Sequence, residues 1–344
     1  MRLAVLCPSE IAIRRFMPAL KKSSNFQYMG VGINSIEERY GIKKVNAPDS
    51  DQMLRTEKEK ATAFVKKYGG TIFNSYEEVV TSNIVDAVYI PLPPALHYKW
   101  AKKALQHGKH VLVEKPATLC EKDSDELIAI AKKNGLALHE NYMFMFHKQL
   151  STVDDIIKSG ELGNPRLYRI SFGFPKRAKE DFRYNMELGG GALIDAGGYT
   201  IKYATQLLGN QVKIAYANMN YTSEFDVDMY GSAAMLNDKG ETVQLSYGMD
   251  NNYKCELEVW GSKGCLTTGR ILTAPVDFVP QVTVRKGNID EVRNLPADDA
   301  FYKSICYFYD CIINDAVRNE SYCSIERQAR LVDQFRELAK GKKN

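Results

Sequence analysis

The first half of the chain alternates short apolar runs with segments of helical spacing, and this alternation constrains the fold most. Parallel strands need a crossover connection, usually a helix, so the order predicts a doubly wound parallel sheet with helices on both faces. Predicted strands cover residues 2–6, 26–33, 85–90 and 111–113, and another begins at 136. Predicted helices cover residues 11–22, 57–68, 95–107 and 123–134.

From residue 167 onward the pattern changes to strand-like runs without long helices between them. These runs cover residues 167–172, 212–219, 231–236, 242–248, 254–260 and 281–284. They predict an open, mostly antiparallel sheet, one face of which packs on helices. Helices near residues 300–314 and 324–340 are expected to pack back toward the core. An open apolar sheet face usually finds a partner, so we expect a homodimer or homotetramer through this sheet.

The length of 344 residues predicts two domains rather than one core. The expected class is α/β: a dinucleotide-binding Rossmann domain at residues 1–120, and a substrate-binding and oligomerisation α+β domain at 121–344. As an alternative to this boundary, residues 123–139 and the C-terminal helix could pack on the first domain. The 46 basic and 42 acidic residues are too balanced to indicate a nucleic-acid partner.

Cysteine usage and hydropathy indicate a cytoplasmic protein. The seven cysteines form no C-x-x-C pair, which argues against a disulfide framework or a zinc site, and no metal is expected. No apolar run approaches the length needed to span a membrane, and no signal peptide is recognised, so we expect no membrane partner.

An acid, an amine and a proline follow the apolar run 111–113. Ligands of doubly wound sheets collect at the carboxyl ends of the strands, so Lys115 is expected at the ligand-binding edge. Pro116 would stiffen the backbone just beyond it. A lysine there can donate to a substrate oxygen, and partial burial would shift its pKa. The alternative is a strand that ends on a solvated charge pair.

The turn after the first strand departs from the dinucleotide motif. Residues 7–12 stand where G-x-G-x-x-G/A is expected, and both early glycines are absent. Ala12 keeps the small last position. The hydroxyl of Ser9 could bond a phosphate or cap the helix. Glu10 is unfavourable, because its charge opposes the phosphates at the positive end of the helix.

The residues at the end of the second predicted strand do not indicate whether NAD or NADP is preferred. An acid there would bond the ribose 2′-hydroxyl of NAD, and an arginine would accept the 2′-phosphate of NADP. Asn34 and Ser35 could bond either form, with positive charge from Arg39, Lys43 and Lys44. The polar segment 40–55 is interpreted as a surface excursion, with a flap over the adenosine end of the cofactor as the alternative.

A glycine-rich block precedes a carboxylate and a phenol. Residues 189–191 are all glycine, which permits a sharp turn and a close approach of backbone to ligand. Asp195 and Tyr199 are four residues apart, so they share one face of the helix that follows. Together they can address one sugar-sized ligand. The alternative is a helix start with an ordinary core tyrosine.

Taken together, these residues resemble the Gfo/Idh/MocA oxidoreductases over nearly the whole chain. The matching pieces are residues 11–12, 18–20, 88–93 with His97, 108–116 and 189–199. Many members have histidine where this chain has Tyr199. With tyrosine at this position, the chain resembles the branch of the family that contains glucose-fructose oxidoreductase, dihydrodiol dehydrogenase and the nucleotide-sugar 3-ketoreductases. The last are the most similar, through residues 140–144, 147, 149, 183–184, 247–249 and 295–297.

The resemblance implies hydride transfer between a nicotinamide and a sugar carbon. The substrate it implies is a nucleotide-linked keto-sugar of deoxysugar or surface-polysaccharide biosynthesis, with NADP as cofactor and NAD as the alternative. Other activities left open are a dehydrogenase of a free sugar, polyol or trans-dihydrodiol, and a dinucleotide-sensing regulator without catalysis. The hypothesis of a regulator comes from the altered turn at residues 7–9. The presence of Lys115, Asp195 and Tyr199 argues against it.

The resemblance also implies roles for individual residues. Tyr199 is expected to be the general acid, Lys115 to lower the pKa of that phenol and polarise the carbonyl, and Asp195 to orient sugar hydroxyls or the lysine. The expected cofactor-binding residues are Ser9, Glu10, Ile11, Asn34, Ser35, Pro91, Leu92, His97, Glu114 and Lys115. The expected substrate-binding residues are Tyr142, His147, Arg183 and Asp195. A structural role for His147 is an equal alternative, and Arg183 could instead meet solvent or a nucleotide diphosphate.

Overall fold

The structure, a computed structural model, describes residues 1–35, 38 and 50–340. Most of the polar segment 40–55 therefore lies outside the described residues, as do Arg39, Lys43 and Lys44. The end of that segment belongs to a helix that begins at Ser50, seven residues before the predicted start. The proposed flap over the cofactor thus concerns residues that the structure does not describe.

The chain divides into two compact units. Unit 1 comprises Met1–Asn141 and Ser304–Glu326, and unit 2 comprises Tyr142–Lys303 and the chain from Arg327 onward. The sequence-based boundary after residue 120 comes before the strand Leu138–Asn141. That strand pairs with His110–Glu114, so unit 1 continues to Asn141.

The described part of unit 1 contains a parallel sheet of six strands. They are β1 (Arg2–Val5), β2 (Gln27–Gly32), β3 (Thr71–Phe73), β4 (Ala87–Ile90), β5 (His110–Glu114) and β6 (Leu138–Asn141). Their order is β3-β2-β1-β4-β5-β6, which confirms the doubly wound prediction. The strand order reverses between β1 and β4, and the carboxyl ends at such a switch point are where ligands bind.

The helices of unit 1 follow the strands in alternation. They are α1 (Met17–Leu20, after a π-helical turn Ala12–Phe16), α2 (Ser50–Tyr68), α3 (Tyr76–Thr81), α4 (Pro94–Gln106) and α5 (Glu121–Asn134). β4 is buried along its whole length, and Val88 and Ile90 share a core with Trp100 of α4 and Leu127 of α5. Burial of each such side chain contributes roughly 1.5–3 kcal/mol, so this core holds the switch-point edge in place.

The described part of unit 2 contains a mixed sheet of eight strands. They are β7 (Pro165–Gly173), β8 (Val212–Thr222), β9 (Phe225–Asn237), β10 (Thr242–Gly248), β11 (Lys254–Gly261), β12 (Cys265–Gly269), β13 (Gln281–Lys286) and β14 (Ile289–Asn294). Their order is β14-β13-β12-β11-β7-β10-β9-β8, and only the β7–β10 pairing is parallel among these described neighbours. The predicted mostly antiparallel sheet is confirmed.

The remaining helices are α6 (Lys148–Lys158), α7 (Gly198–Leu208, after a π-helical turn Leu193–Gly197), α8 (Ala300–Ile313) and α9 (Asp315–Lys340). The last begins nine residues before the predicted start. Residues of the unit 2 strands alternate between buried and exposed, as in β11. On the exposed face, Arg169 of β7 and Glu258 of β11 pair at 3.0 Å. None of the helices described above is both long and apolar enough to cross a membrane.

Candidate active site

Glu114, at the end of β5, joins the ends of three neighbouring strands. Its Oε1 accepts hydrogen bonds from the Tyr89 hydroxyl of β4 and the Asn141 amide of β6, both at 2.6 Å. Burial raises the pKa of Glu114, and these two donors and the charge of Lys115 counteract that rise. The carboxylate therefore fixes the strand end that leads to Lys115. Lys115 itself is half-buried, and its peptide bond to Pro116 is cis.

His97, in the first turns of α4, joins the two segments that follow β4 and β5. Its Nδ1 lies 2.7 Å from the carbonyl oxygen of Pro116, and its Nε2 lies 2.7 Å from that of Leu92. The ring has no exposed surface, and burial lowers the pKa of His97 to about 4. A neutral imidazole donates to only one of two acceptors at a time. The structure thus places His97 as a buried bridge between backbone segments.

The turn after β1 is closed by its serine. Ser9 Oγ accepts from the Ala12 N–H at 3.2 Å, so the hydroxyl caps the helix, one of its two expected roles. Glu10 pairs with Arg14 at 2.5 Å, which offsets the charge that was expected to oppose phosphates. Among the described residues, the N–H groups of Glu10 and Ile11 meet no acceptor. Helix starts with such unpaired donors suit anions.

A capping box follows β2. The Ser35 N–H donates to Glu38 Oε2 at 2.9 Å, and the Glu38 N–H donates to Ser35 Oγ at 3.2 Å. The same carboxylate accepts from the N–H groups of Tyr76 and Glu77 at the start of α3, at 3.1 and 2.9 Å. The carboxylate of Glu38 is therefore engaged by three backbone donors. Asn34, the other residue predicted here, is buried.

In unit 2, the glycine turn is shaped by Asp228 of β9. Gly191 has a φ of 120°, and a Cβ there would lie 2.4 Å from Asp228 Oδ1. The other oxygen of Asp228 accepts from the Leu193 N–H at 2.7 Å. Burial raises the pKa of Asp228 to about 6, although these backbone donors oppose the rise. A side chain at position 191 would displace the carboxylate that caps the turn leading to Asp195.

Asp195 is held by an arginine from the preceding loop. Arg183 Nε lies 2.6 Å from Asp195 Oδ2, and its Nη1 lies 3.1 Å from Asp181 Oδ1. Burial favours a lower pKa for Arg183, but the charges of Asp195 and Asp181 outweigh it and raise the pKa. Arg183 was predicted to contact substrate, solvent or a diphosphate. In the structure its guanidinium is engaged by two carboxylates, which orients Asp195.

Tyr199 lies one turn after Asp195, within a shell of aromatic rings. Its ring centre is 5.3 Å from that of Tyr142, 5.5 Å from Phe144 and 5.4 Å from Phe172. Tyr142 is itself buried, and Gln328 Nε2 donates to its hydroxyl at 3.2 Å. Tyr142 was predicted to bind substrate, and the structure places it as a support of the Tyr199 ring.

His147 caps helix α6. Its Nδ1 accepts from the Gln149 N–H at 3.1 Å, so the proton of the neutral ring lies on Nε2. Burial lowers the pKa of His147. In the described chain, the buried Nε2 has no hydrogen-bond partner. This arrangement establishes the structural role that was weighed for His147, and it leaves one donor for a ligand.

The structure brings the predicted residues together in two groups. In unit 1, Pro91, Leu92, His97, Glu114 and Lys115 follow or bridge the ends of β4 and β5. In unit 2, Asp195, Tyr199, Arg183 and Tyr142 surround the start of α7. Asp228, Glu38 and Gln328 were not predicted. The one sequence signal for Asp228 is an acid between Val227 and Met229 in an apolar strand. Among the described residues, no group of three potential ligands could hold a metal ion.

Comparison with known proteins identifies related sequences. The model of an oxidoreductase family with an NAD-binding Rossmann fold, GFO/IDH/MocA, matches residues 26–142, and the model of its C-terminal domain matches residues 150–267. A dTDP-3,4-didehydro-2,6-dideoxy-alpha-D-glucose 3-reductase from Actinomadura kijaniata is 34% identical over 335 residues, 97% of this chain and 94% of its own. The reductase of the same name from Streptomyces violaceoruber is 33% identical over 98% of this chain and 95% of its own.

Solved structures are also similar. A 3-ketoreductase from Actinomadura kijaniata in complex with NADP and TDP-benzene has a TM-score of 0.88 and 33% identity over 98% of both chains. Structures of two single variants of that ketoreductase have also been solved. In one a lysine is changed to alanine, and in the other a tyrosine is changed to phenylalanine. The two changed positions are as far apart in its sequence as Lys115 and Tyr199 are here. An aldose-aldose oxidoreductase from Caulobacter crescentus, at 21% identity and a TM-score of 0.82, shares the fold.

Proposed function

This chain belongs to the Gfo/Idh/MocA family of oxidoreductases, and we propose that it reduces the C3 ketone of a dTDP-linked deoxyhexose with NADPH. The observation that carries the substrate is the 34% identity to a dTDP-sugar 3-reductase across nearly the full length of both chains. The matched spacing of Lys115 and Tyr199 with the two residues varied in the related 3-ketoreductase supports a shared site.

The residues of unit 1 fit a nicotinamide dinucleotide. The unpaired N–H groups of Glu10 and Ile11 are donors for its pyrophosphate, and the paired charge of Glu10 is no longer a strong obstacle. Pro91 and Leu92 follow β4, where the strand order reverses, and Lys115 follows the adjacent strand β5, which suits the nicotinamide end. When bound, the reduced cofactor supplies hydride to the sugar carbon.

The environment of Glu38 supports a preference for NADP. An acid that binds the ribose of NAD must offer free carboxylate oxygens, whereas Glu38 is engaged by three backbone N–H groups. Ser35 Oγ accepts from the Glu38 N–H and keeps its own proton for a ligand. We therefore assign the 2′-phosphate to Ser35, with Asn34 shaping the loop.

Side chains of this protein stabilise the negative charge that develops on the carbonyl oxygen of the substrate during reduction. Reduction places negative charge on that oxygen, and the Tyr199 hydroxyl supplies the proton that neutralises it. The Lys115 ammonium polarises the carbonyl beforehand and favours loss of the phenol proton. Asp195, held by Arg183, orients the sugar hydroxyls. His147 donates to the substrate through the Nε2 proton that the described chain leaves unpartnered.

Turnover of a substrate panel tests the function. We expect NADPH oxidation with a dTDP-linked 3-keto-deoxyhexose, and rates at least tenfold lower with NADH in its place. Free hexoses, polyols and trans-dihydrodiols with NADP should give rates near background. If a free sugar, polyol or dihydrodiol is turned over faster than the dTDP-linked sugar, the proposed substrate is wrong. Binding of NADPH without turnover of any sugar would support the regulator instead.

We also propose a homodimer or homotetramer formed through the exposed face of the unit 2 sheet. That face presents large apolar side chains, including Tyr216, Tyr230 and Trp260, each more than two-fifths exposed. Such surface usually marks an interface. Light scattering at micromolar concentration should give at least twice the monomer mass, and Trp260→Lys should reduce it. A monomeric parent protein would refute the proposal.

The described cysteines, all seven of the chain, are free thiols, which suits a reducing compartment. This agrees with the proposed use of NADPH and a nucleotide sugar, and we therefore place the protein in the cytoplasm.

A further inference from the structure

An arginine in contact with two aromatic rings lies at one end of the unit 2 sheet. Arg270 directly follows β12, and its guanidinium carbon is 5.1 Å from the ring centre of Tyr253 and 5.6 Å from that of Phe278. Among the residues that the structure describes, Arg270 forms no ion pair with a carboxylate. In the described chain its guanidinium therefore contacts aromatic rings and no carboxylate.

The backbone of Arg270 adopts a conformation that side chains disfavour. Its φ is 49°, and within the described ranges no other residue except glycine has a positive φ. Such a conformation costs free energy and persists only where the surroundings impose it, which is why it is concentrated at ligand sites.

The loop that carries Arg270 is tied to its neighbours on two sides. The Leu272 N–H and the Thr273 hydroxyl both contact Cys255 Sγ at 3.4 Å, and Thr273 Oγ1 is 3.0 Å from the Tyr253 hydroxyl. Gln149 Nε2 donates to the Gly269 carbonyl at 3.0 Å. The backbone on both sides of Arg270 is consequently held in place before any ligand arrives, which reduces the entropic cost of binding.

Strand register relates Arg270 to Tyr199. Cys255 of β11 pairs with Phe172 of β7, and the last β11–β12 pair ends one residue before Arg270. Adjacent strands lie roughly 4.8 Å apart, so Gly269, which precedes Arg270, is about 10 Å from Ser171, which precedes Phe172. The Phe172 ring contacts the Tyr199 ring. A hexose and its anomeric phosphate can span the distance from the phenol to the arginine.

We propose that Arg270 binds the diphosphate of the nucleotide-linked substrate and thereby selects it over free sugars. The inference rests on the proposed function, because it requires a nucleotide handle. Arginine presents a planar fork of donors that matches two phosphate oxygens, and rings that cover its faces leave the in-plane N–H groups available.

Calorimetric titration of the NADP-loaded enzyme with dTDP tests the assignment. Hydrogen bonds to charged groups are strong enough that Arg270→Met should weaken dTDP binding by about 10- to 100-fold. Arg270→Lys keeps the charge but not the fork, so its loss should be intermediate. Thymidine, which has no phosphate, should bind the parent and Arg270→Met equally. The affinity for NADP should not change in either variant.

A matched control is Lys254→Met, which removes one positive charge at the same end of the sheet. Lys254 is half-exposed, pairs with Glu256 at 3.3 Å and lies on the opposite face from the buried Cys255. Its loss should change dTDP affinity less than threefold. A comparable loss in Lys254→Met and Arg270→Met would indicate a general charge effect and overturn the proposal.

Other outcomes separate this inference from the proposed function. Unchanged dTDP affinity in Arg270→Met, with the parent enzyme binding dTDP, would refute the role of Arg270 and leave the function standing. An equal loss for dTDP and thymidine would refute contact with the phosphates. A parent enzyme that binds NADP but no dTDP would refute the nucleotide-sugar function and this inference with it. If Arg270→Met does not fold, Arg270→Lys decides by the same titration.

Discussion

Tyr199→Phe is expected to lower kcat by about 10²–10⁴-fold, the range for a positioned acid–base group. The substitution removes the transferable proton and keeps the ring. The contacts of that ring with Tyr142, Phe144 and Phe172 should persist, so the variant should fold normally. In the proposed mechanism the phenol acts on charge that develops during reduction, so KM for the sugar and the affinity for NADPH should change little. Steady-state kinetics with a dTDP-linked keto-sugar measure the effect.

Tyr203→Phe is the matched control for this substitution. Tyr203 lies one turn further along α7, is fully buried, and its hydroxyl has no hydrogen-bond partner in the described chain. Loss of an unpaired buried hydroxyl should leave kcat unchanged and stabilise the fold slightly. A Tyr199→Phe enzyme that keeps more than about half of the parent kcat would exclude the general-acid role, given the size of such effects.

Three strands, β3, β12 and β14, were not predicted from the sequence because they are either very short or polar. β3 spans only Thr71–Phe73, too short to show a period, and it follows two glycines. β12 and β14 are polar: β14 has no buried residue, because it is the edge strand of its sheet and packs on one neighbour. The longer apolar strands were predictable because burial on one or both faces imposes a pattern.

The same limit applies to the candidate site. Lys115 and Tyr199 could be selected from sequence because each belongs to a local motif, a strand end or a glycine turn before a helix. The supporting contacts are made between residues far apart in the chain, such as Asp228 with Leu193 and Glu38 with Tyr76. Spacing along the sequence carries no information about such pairs. For this reason Arg183 was predicted to contact substrate, solvent or a diphosphate, and its ion pairs with Asp195 and Asp181 were not predicted.

Lys115→Ala is expected to lower kcat at least as much as Tyr199→Phe. In the proposed mechanism the ammonium both polarises the carbonyl and favours release of the phenol proton, so its removal should affect two contributions to the same step. Glu114 should still be held by Tyr89 and Asn141, since those bonds do not involve the lysine side chain. The fold of the strand end should therefore survive, and the affinity for NADPH, measured by fluorescence titration, should fall far less than kcat.

Lys109→Met provides the comparison with a structural lysine five residues before β5 ends. Lys109 is buried, and its Nζ donates to the carbonyl oxygens of Ser82 and Val85 at 2.7 and 2.8 Å. Its replacement removes a donor from both carbonyl oxygens, of which that of Ser82 keeps the Val85 N–H at 3.4 Å. This loss should cost about 1–3 kcal/mol of stability without changing kcat per folded molecule. Thermal denaturation and kinetics on the two lysine variants should thus give opposite patterns.

The double variant Lys115→Ala/Tyr199→Phe tests whether the two residues act as one unit. Groups that serve a single proton transfer are not additive, because once the step is disabled the second loss has little left to remove. We expect kcat of the double variant to be within a few-fold of Lys115→Ala alone. Independent roles would instead multiply the two losses. A multiplied loss would show that Lys115 acts on the carbonyl without tuning Tyr199, and the phenol would then need another group to favour release of its proton.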